Sequence, residues 1–164
     1  MQSDVISSLL HNTDRQPLRP LAAPEPMPQY QFTVETEPAF LPDQSAPGQG
    51  IYSFAYTITI TNTGDAAAQL IARHWFIQDA SGRSEQVQGL GVVGQQPLLR
   101  PGEAFQYTSG CRLRASTGTM HGSYFFVAED GTRFDVEIPL FVLDASQGAG
   151  PSIAAVDDGP RVLH

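Results

Sequence analysis

Between about Tyr30 and Leu143 the chain alternates large residues with small or polar ones at a period of two, the spacing of β-strands. The clearest run is "IYSFAYTITITNTG". Here Tyr52, Phe54, Tyr56, Ile58 and Ile60 alternate with Ser53, Ala55, Thr57, Thr59 and Thr61, and Asn62-Thr63-Gly64 closes the run as a turn. One face of this strand is predicted to be buried and the other to be a threonine-lined surface. In "QLIARHWFIQDASG", Ile71, Trp75 and Ile77 share a parity, and the turn falls at Asp79 to Gly82. Further strands are predicted in "QFTVETEP", "AFQYTSGCRL", "GSYFFVAEDG" and "RFDVEIPLFVL", with turn signals at Pro101-Gly102, Ser116 to Gly118 and Asp130-Gly131. No window of helical length keeps apolar residues at i, i+3, i+4 and i+7 without a Pro, Gly or β-branched run interrupting it. The pattern predicts an all-β fold, an antiparallel β-sandwich of about seven strands. The single tryptophan, Trp75, resembles the core tryptophan of immunoglobulin-like sandwiches, without their disulfide.

Outside that block the pattern stops. Residues 1–29 read as a disordered tail, because Pro17, Pro20, Pro24, Pro26 and Pro28 forbid helix and sheet. Residues 144–164, "DASQGAGPSIAAVDDGPRVLH", are small, polar and punctuated by Gly and Pro, and are predicted to form a flexible second tail. The expected domain is therefore 30–143. A net charge of -8 argues against nucleic acid or an anionic membrane as partner, since both require a basic surface. The nine basic residues are all Arg, and they are scattered along the chain. One cysteine, Cys111, excludes an internal disulfide framework and fits a reducing compartment. No apolar run approaches the roughly 20 residues that span a bilayer, and "MQSDVISSLL" lacks a basic n-region. The expected location is the cytoplasm.

Gly89, Gly91 and Gly94 in "VQGLGVVGQQPLLRPGE" have the G-x-G-x-x-G spacing of dinucleotide sites. That chemistry needs a strand before the motif and a helix after it, whose N-terminus meets the pyrophosphate. Here the approach "GRSEQVQ" is polar, and Pro97 and Pro101 prevent a helix afterwards. The acidic residue expected about twenty positions on is also missing. Two readings remain. The glycines permit positive φ or close approach in a long loop crossing between sheets, or their backbone N–H groups form an anion-binding concavity without a helix.

The phrases G-x-G-V-V-G-x-Q-P, P-G-E-x-F-x-Y-x-S-G, G-x-M-x-G-x-Y and I-P-x-F-x-L occur in order from Gly89 to Leu143. On them the chain resembles the ApaG family (also called CorD, or DUF525). The resemblance implies a fibronectin-III-like sandwich, in agreement with the strand pattern. It also implies an association with cobalt tolerance and magnesium efflux, and, from similar modules in eukaryotic F-box proteins and a polymerase-delta-interacting protein, a protein-binding role. The family supplies no agreed catalytic residues to carry over.

Other chemistry is thinly supported. His11, His74, His121 and His164 are far apart, and no H-x-H, C-x-x-C or D-x-D-x-D run offers a metal set. Cys111 in "TSGCRLR" reads as a small buried hydrophobe. Arg112 and Arg114 share the opposite parity and read as a solvated edge. Arg73 shares a face with Trp75, so its stem is expected to pack there while its guanidinium reaches a carboxylate or carbonyl. The expected function is a non-enzymatic binding module without cofactor, acting through an unidentified protein partner, with any link to divalent cations indirect. The alternative is a small anion, nucleotide or pyrophosphate held at Gly89, Gly91 and Gly94.

Overall fold

The computed structural model describes residues 27–147. Residues 1–26 and 148–164, and with them His11, His164 and most of both predicted tails, lie outside the described residues. Eight strands run in chain order: β1 (Phe32–Phe40), β2 (Tyr52–Asn62), β3 (Ala68–Asp79), β4 (Ser84–Leu90), β5 (Leu98–Leu99), β6 (Ala104–Leu113), β7 (Thr117–Ala128) and β8 (Arg133–Asp144). All pairings are antiparallel. One sheet has the order β1-β2-β6 and the other β4-β3-β7-β8, with β5 also paired to β3. The predicted all-β sandwich is the observed fold; the six strands located in the sequence are joined by β4 and by β5, a two-residue piece.

The alternation in β2 does what the sequence pattern requires. Tyr56, Ile58 and Ile60 are buried against the second sheet, and Thr57 and Thr59 face outward, where they bond Thr108 and Gln106 of β6. Ser53 and Ala55 depart from the expected surface and are buried. Residues 41–50 fold back over them, with Ser53 Oγ donating to Gln44 O and Ser53 N–H to Ser45 Oγ. Trp75 sits between the sheets, its ring 5.3 Å from that of Tyr56 on β2 and 6.0 Å from that of Phe141 on β8. The two sheets also meet at β1, where Tyr30, just before the strand, stacks on Phe134 of β8 and Phe32 lies 4.3 Å from Phe126 of β7.

Parity in β3 differs from the simple reading. The register against β7 shifts between Leu70 and Ala72, so Ile71 is a β-bulge. Leu70 and Ala68 therefore join Trp75 in the core, and Ile71 is only half-buried.

Asp79 closes the far end of β3. Its carboxylate accepts from Ser81 N–H and Oγ–H and from Arg83 N–H, and its other oxygen accepts from Arg114 N–H at 3.1 Å. Burial works against the charged form, but the bonds from Ser81, Arg114 and Arg83 outweigh it and hold the carboxyl below its usual value. A lowered native pKa contributes stability that is complete above the unfolded value of about 3.9 and is lost as the pH falls through the native one. Asp79→Asn is accordingly expected to melt below the unsubstituted chain at neutral pH, with the gap narrowing under acid conditions. A gap in Tm constant across the titration would contradict this.

Candidate functional site

β4 and β5 lie along the same edge of β3, because β7 occupies the other. Leu90 faces Ala72 and Leu98 faces Gln69, so the chain between them is an excursion from one interrupted edge strand. The crossing to the other sheet comes later, at residues 100–103, where Glu103 N–H donates to Arg100 O. The expected inter-sheet loop at the glycines is thus an insertion in a sheet edge, and Gly89 belongs to a strand.

Each glycine has its own reason. A Cβ on Gly89 would lie 2.8–2.9 Å from the Arg73 guanidinium, which lies against that residue. Gly91 has φ +65, and a Cβ there would meet Gln95 O at 2.4 Å. Gly94 has φ +74 and follows Val93 at φ 47. These two form a two-residue reversal in which Val92 and Gln95 exchange N–H···O bonds of 2.8 Å. A β-branched residue in the left-handed region is strained by about 1–3 kcal/mol. Burial of Val92 and Val93 in the core offsets it.

The excursion is fastened from below. The bulged Ile71 presents a carbonyl that accepts from Gly91 N–H at 2.8 Å and from Gln96 Nε2 at 2.9 Å. Leu70 N–H donates to Pro97 O. Arg73 Nη1 donates to Leu90 O and Gly91 O at 3.0 and 2.9 Å, so its guanidinium reaches carbonyls as expected from its place beside Trp75. Its Nε is buried and finds no partner among the described residues. Gly91 N–H is committed to Ile71, and the Gly89 face is covered by Arg73. The structure places Gly89 at the end of β4 and Gly91 and Gly94 in the excursion that follows, each with a separate structural task.

The exposed flank of this assembly is the outer side of β4. Asp79 N–H donates to Arg83 O at one end of the β3–β4 pair, and Gly91 N–H to Ile71 O at the other. By the alternation of an antiparallel ladder, the N–H groups of Gln86 and Gln88 point away from β3. The edge has no proline and no register shift against β3. β1 carries Pro38 directly after Glu37, and β8 carries Pro139 beside a register shift, which are common ways of blunting an edge. Sequence inspection missed β4, since "SEQVQGL" offers too few apolar residues to show a period.

Beside that edge the outer sheet face forms a hollow of about 490 Å³ lined by Arg73, His74, Gln88, Leu90, Phe125 and Asp135. Leu90 is 75% exposed. His74 Nε2 lies 3.1 Å from Gln86 Oε1, and the Phe76 ring stacks on His121 at 5.0 Å. Among the described residues no three His, Cys, Asp or Glu side chains converge to hold a metal ion. Cys111 packs against the core, and burial pushes its thiol up to about 12, with Glu85 adding to the effect. At neutral pH it is a thiol, as its reading as a small hydrophobe requires. Among the described residues no helix is long and apolar enough to cross a membrane.

The ApaG domain model matches residues 42–128, from the covering segment through β2 to the end of β7. The chain belongs to the ApaG family. It is 66% identical over 142 residues to Protein ApaG of Acidovorax sp. (strain JS42), covering 84% of this chain and 100% of that one. Protein ApaG of Dechloromonas aromatica (strain RCB) is 56% identical over 135 residues, 82% of this chain and 95% of the relative. A crystal structure of the ApaA protein from Bordetella pertussis superposes with a TM-score of 0.70 at 54% identity, covering 73% of this chain and 97% of that one. The ApaG phrase G-x-G-V-V-G-x-Q-P is, in this chain, the edge excursion and its anchors.

Proposed function

We propose that this chain is a non-enzymatic docking module that takes an extended segment of a partner protein along the outer edge of β4. The observation that carries the reading is the unblocked edge itself, with the Gln86 and Gln88 N–H groups directed outward next to Leu90 and the 490 Å³ hollow. An added strand gains main-chain bonds from such an edge, and pockets for its alternate side chains give selectivity. Cobalt tolerance and magnesium efflux, implied by the ApaG resemblance, then depend on that partner and not on an ion held by this domain. The separate tasks of Gly89, Gly91 and Gly94 favour this reading over an anion cradle in the loop.

Gln88→Pro tests it, because it removes an outward N–H and spares the β3–β4 ladder. The expected result is a specific protein crosslinked by the unsubstituted chain and lost from the Gln88→Pro chain at closely similar Tm. Equal recovery by both, or no specific capture by either, would overturn the proposal.

A further inference from the structure

At the opposite end of β4 from Leu90, the β3–β4 turn meets the end of β6 around a cavity of about 280 Å³. Asp79, Arg83, Ser84, Glu85, Arg112 and Arg114 line it. The three guanidinium groups form no hydrogen bond or ion pair with any described residue; the one ion pair among those residues is Arg100–Glu103. Three unpaired cations around one cavity repel one another, and this in a chain whose net charge is -8. Two of them, Arg83 and Arg114, are positioned there by Asp79. Its two carboxylate oxygens accept the backbone N–H groups of Arg83 and Arg114, which ties the turn to the end of β6 and leaves both guanidinium forks free. Asp79 is ionised at neutral pH but bonds none of the forks, so with Glu85 it leaves the lining three cations against two carboxylates. Glu85 lines the cavity as a second carboxylate whose oxygens, unlike those of Asp79, form no hydrogen bond or ion pair with any described residue.

We propose that this cavity binds a small phosphate-bearing anion, held by Arg83, Arg112 and Arg114. Planar guanidinium forks match phosphate oxygens bidentately, and a concave site with several of them selects multiply charged anions over chloride. The site is separate from the docking edge: Ser84 and Leu90 are the two ends of β4, so either is filled without the other.

The full-length chain, labelled with nitrogen-15, is titrated with sodium pyrophosphate and separately with glycerol phosphate, each at ionic strength matched by sodium chloride. The expected result is a saturable shift of the Arg83, Ser84 and Arg114 amides. Arg112→Gln and Arg114→Gln are each expected to weaken binding about tenfold, the loss of one charge-assisted contact. Glu85→Gln is expected to tighten it. All three side chains are exposed, so the variants should keep the amide spectrum of the fold. Saturation by glycerol phosphate alone supports the site and assigns it to esterified phosphate. Saturation by pyrophosphate alone assigns it to the free inorganic form. Shifts reproduced by chloride, shifts centred on Gly89, Gly91 and Gly94, or unchanged affinity in the arginine variants would each overturn the proposal.

Discussion

Gly122→Ala is expected to be among the most damaging single substitutions in this domain. Gly122 faces Trp75 in the β3–β7 ladder. A Cβ there would lie 1.9 Å from His74 O and 3.1 Å from Trp75 Cα. Both are backbone atoms of the strand at the centre of the larger sheet, so no rotamer change relieves the clash. The two strands must separate, at the place where Trp75 bridges the sheets. The expected loss lies at or above the top of the usual overpacking range of about 1–3 kcal/mol. Urea unfolding measures it, with Gly48→Ala as a control, since a Cβ at Gly48 meets nothing within 4 Å. A loss below about 1 kcal/mol at Gly122 would show that the strands approach less closely than described.

Trp75→Ala is expected to cost about 3–5 kcal/mol, the usual penalty for emptying a core aromatic site. The indole is 2% exposed and touches rings from both sheets, Tyr56 on one side and Tyr124 and Phe141 on the other. Its removal leaves a void that neither sheet closes without moving the other. Behind it, Tyr107 and Tyr124 share a buried hydroxyl contact of 2.5 Å, and burial raises both phenols far above their ordinary value. These polar groups are poorly placed to fill the space. A loss under about 1 kcal/mol, again by urea unfolding, would mean that Trp75 does not bridge the sheets.

The contrast between β2 and β4 shows what the sequence made legible. β2 is a central strand with one face against the other sheet, so burial imposed the period of two that identifies it. β4 is an edge with most of its residues exposed, and no burial constraint wrote a period into "SEQVQGL". Trp75 was readable as core from residue type and strand position. The displacement of Ile71 was not, because a bulge changes parity without leaving a mark in residue type. Its carbonyl turns out to anchor the glycine excursion. The flanks of the G-x-G-x-x-G string were enough to exclude a dinucleotide fold. The reason for Gly89 was hidden, since it depends on Arg73 from the neighbouring strand. The arginine cavity was equally out of reach. Arg112 and Arg114 read as a solvated edge, and Asp79 joins Arg114 across 35 positions of sequence.

Docking on the β4 edge is tested most directly by amide hydrogen exchange, with and without the protein captured by the crosslinking experiment. Slowed exchange is expected at Gln86 and Gln88, the outward-directed amides, with β1, β6 and β8 unchanged. Protection that appears on β6 or β8 while Gln86 and Gln88 exchange as before would contradict it.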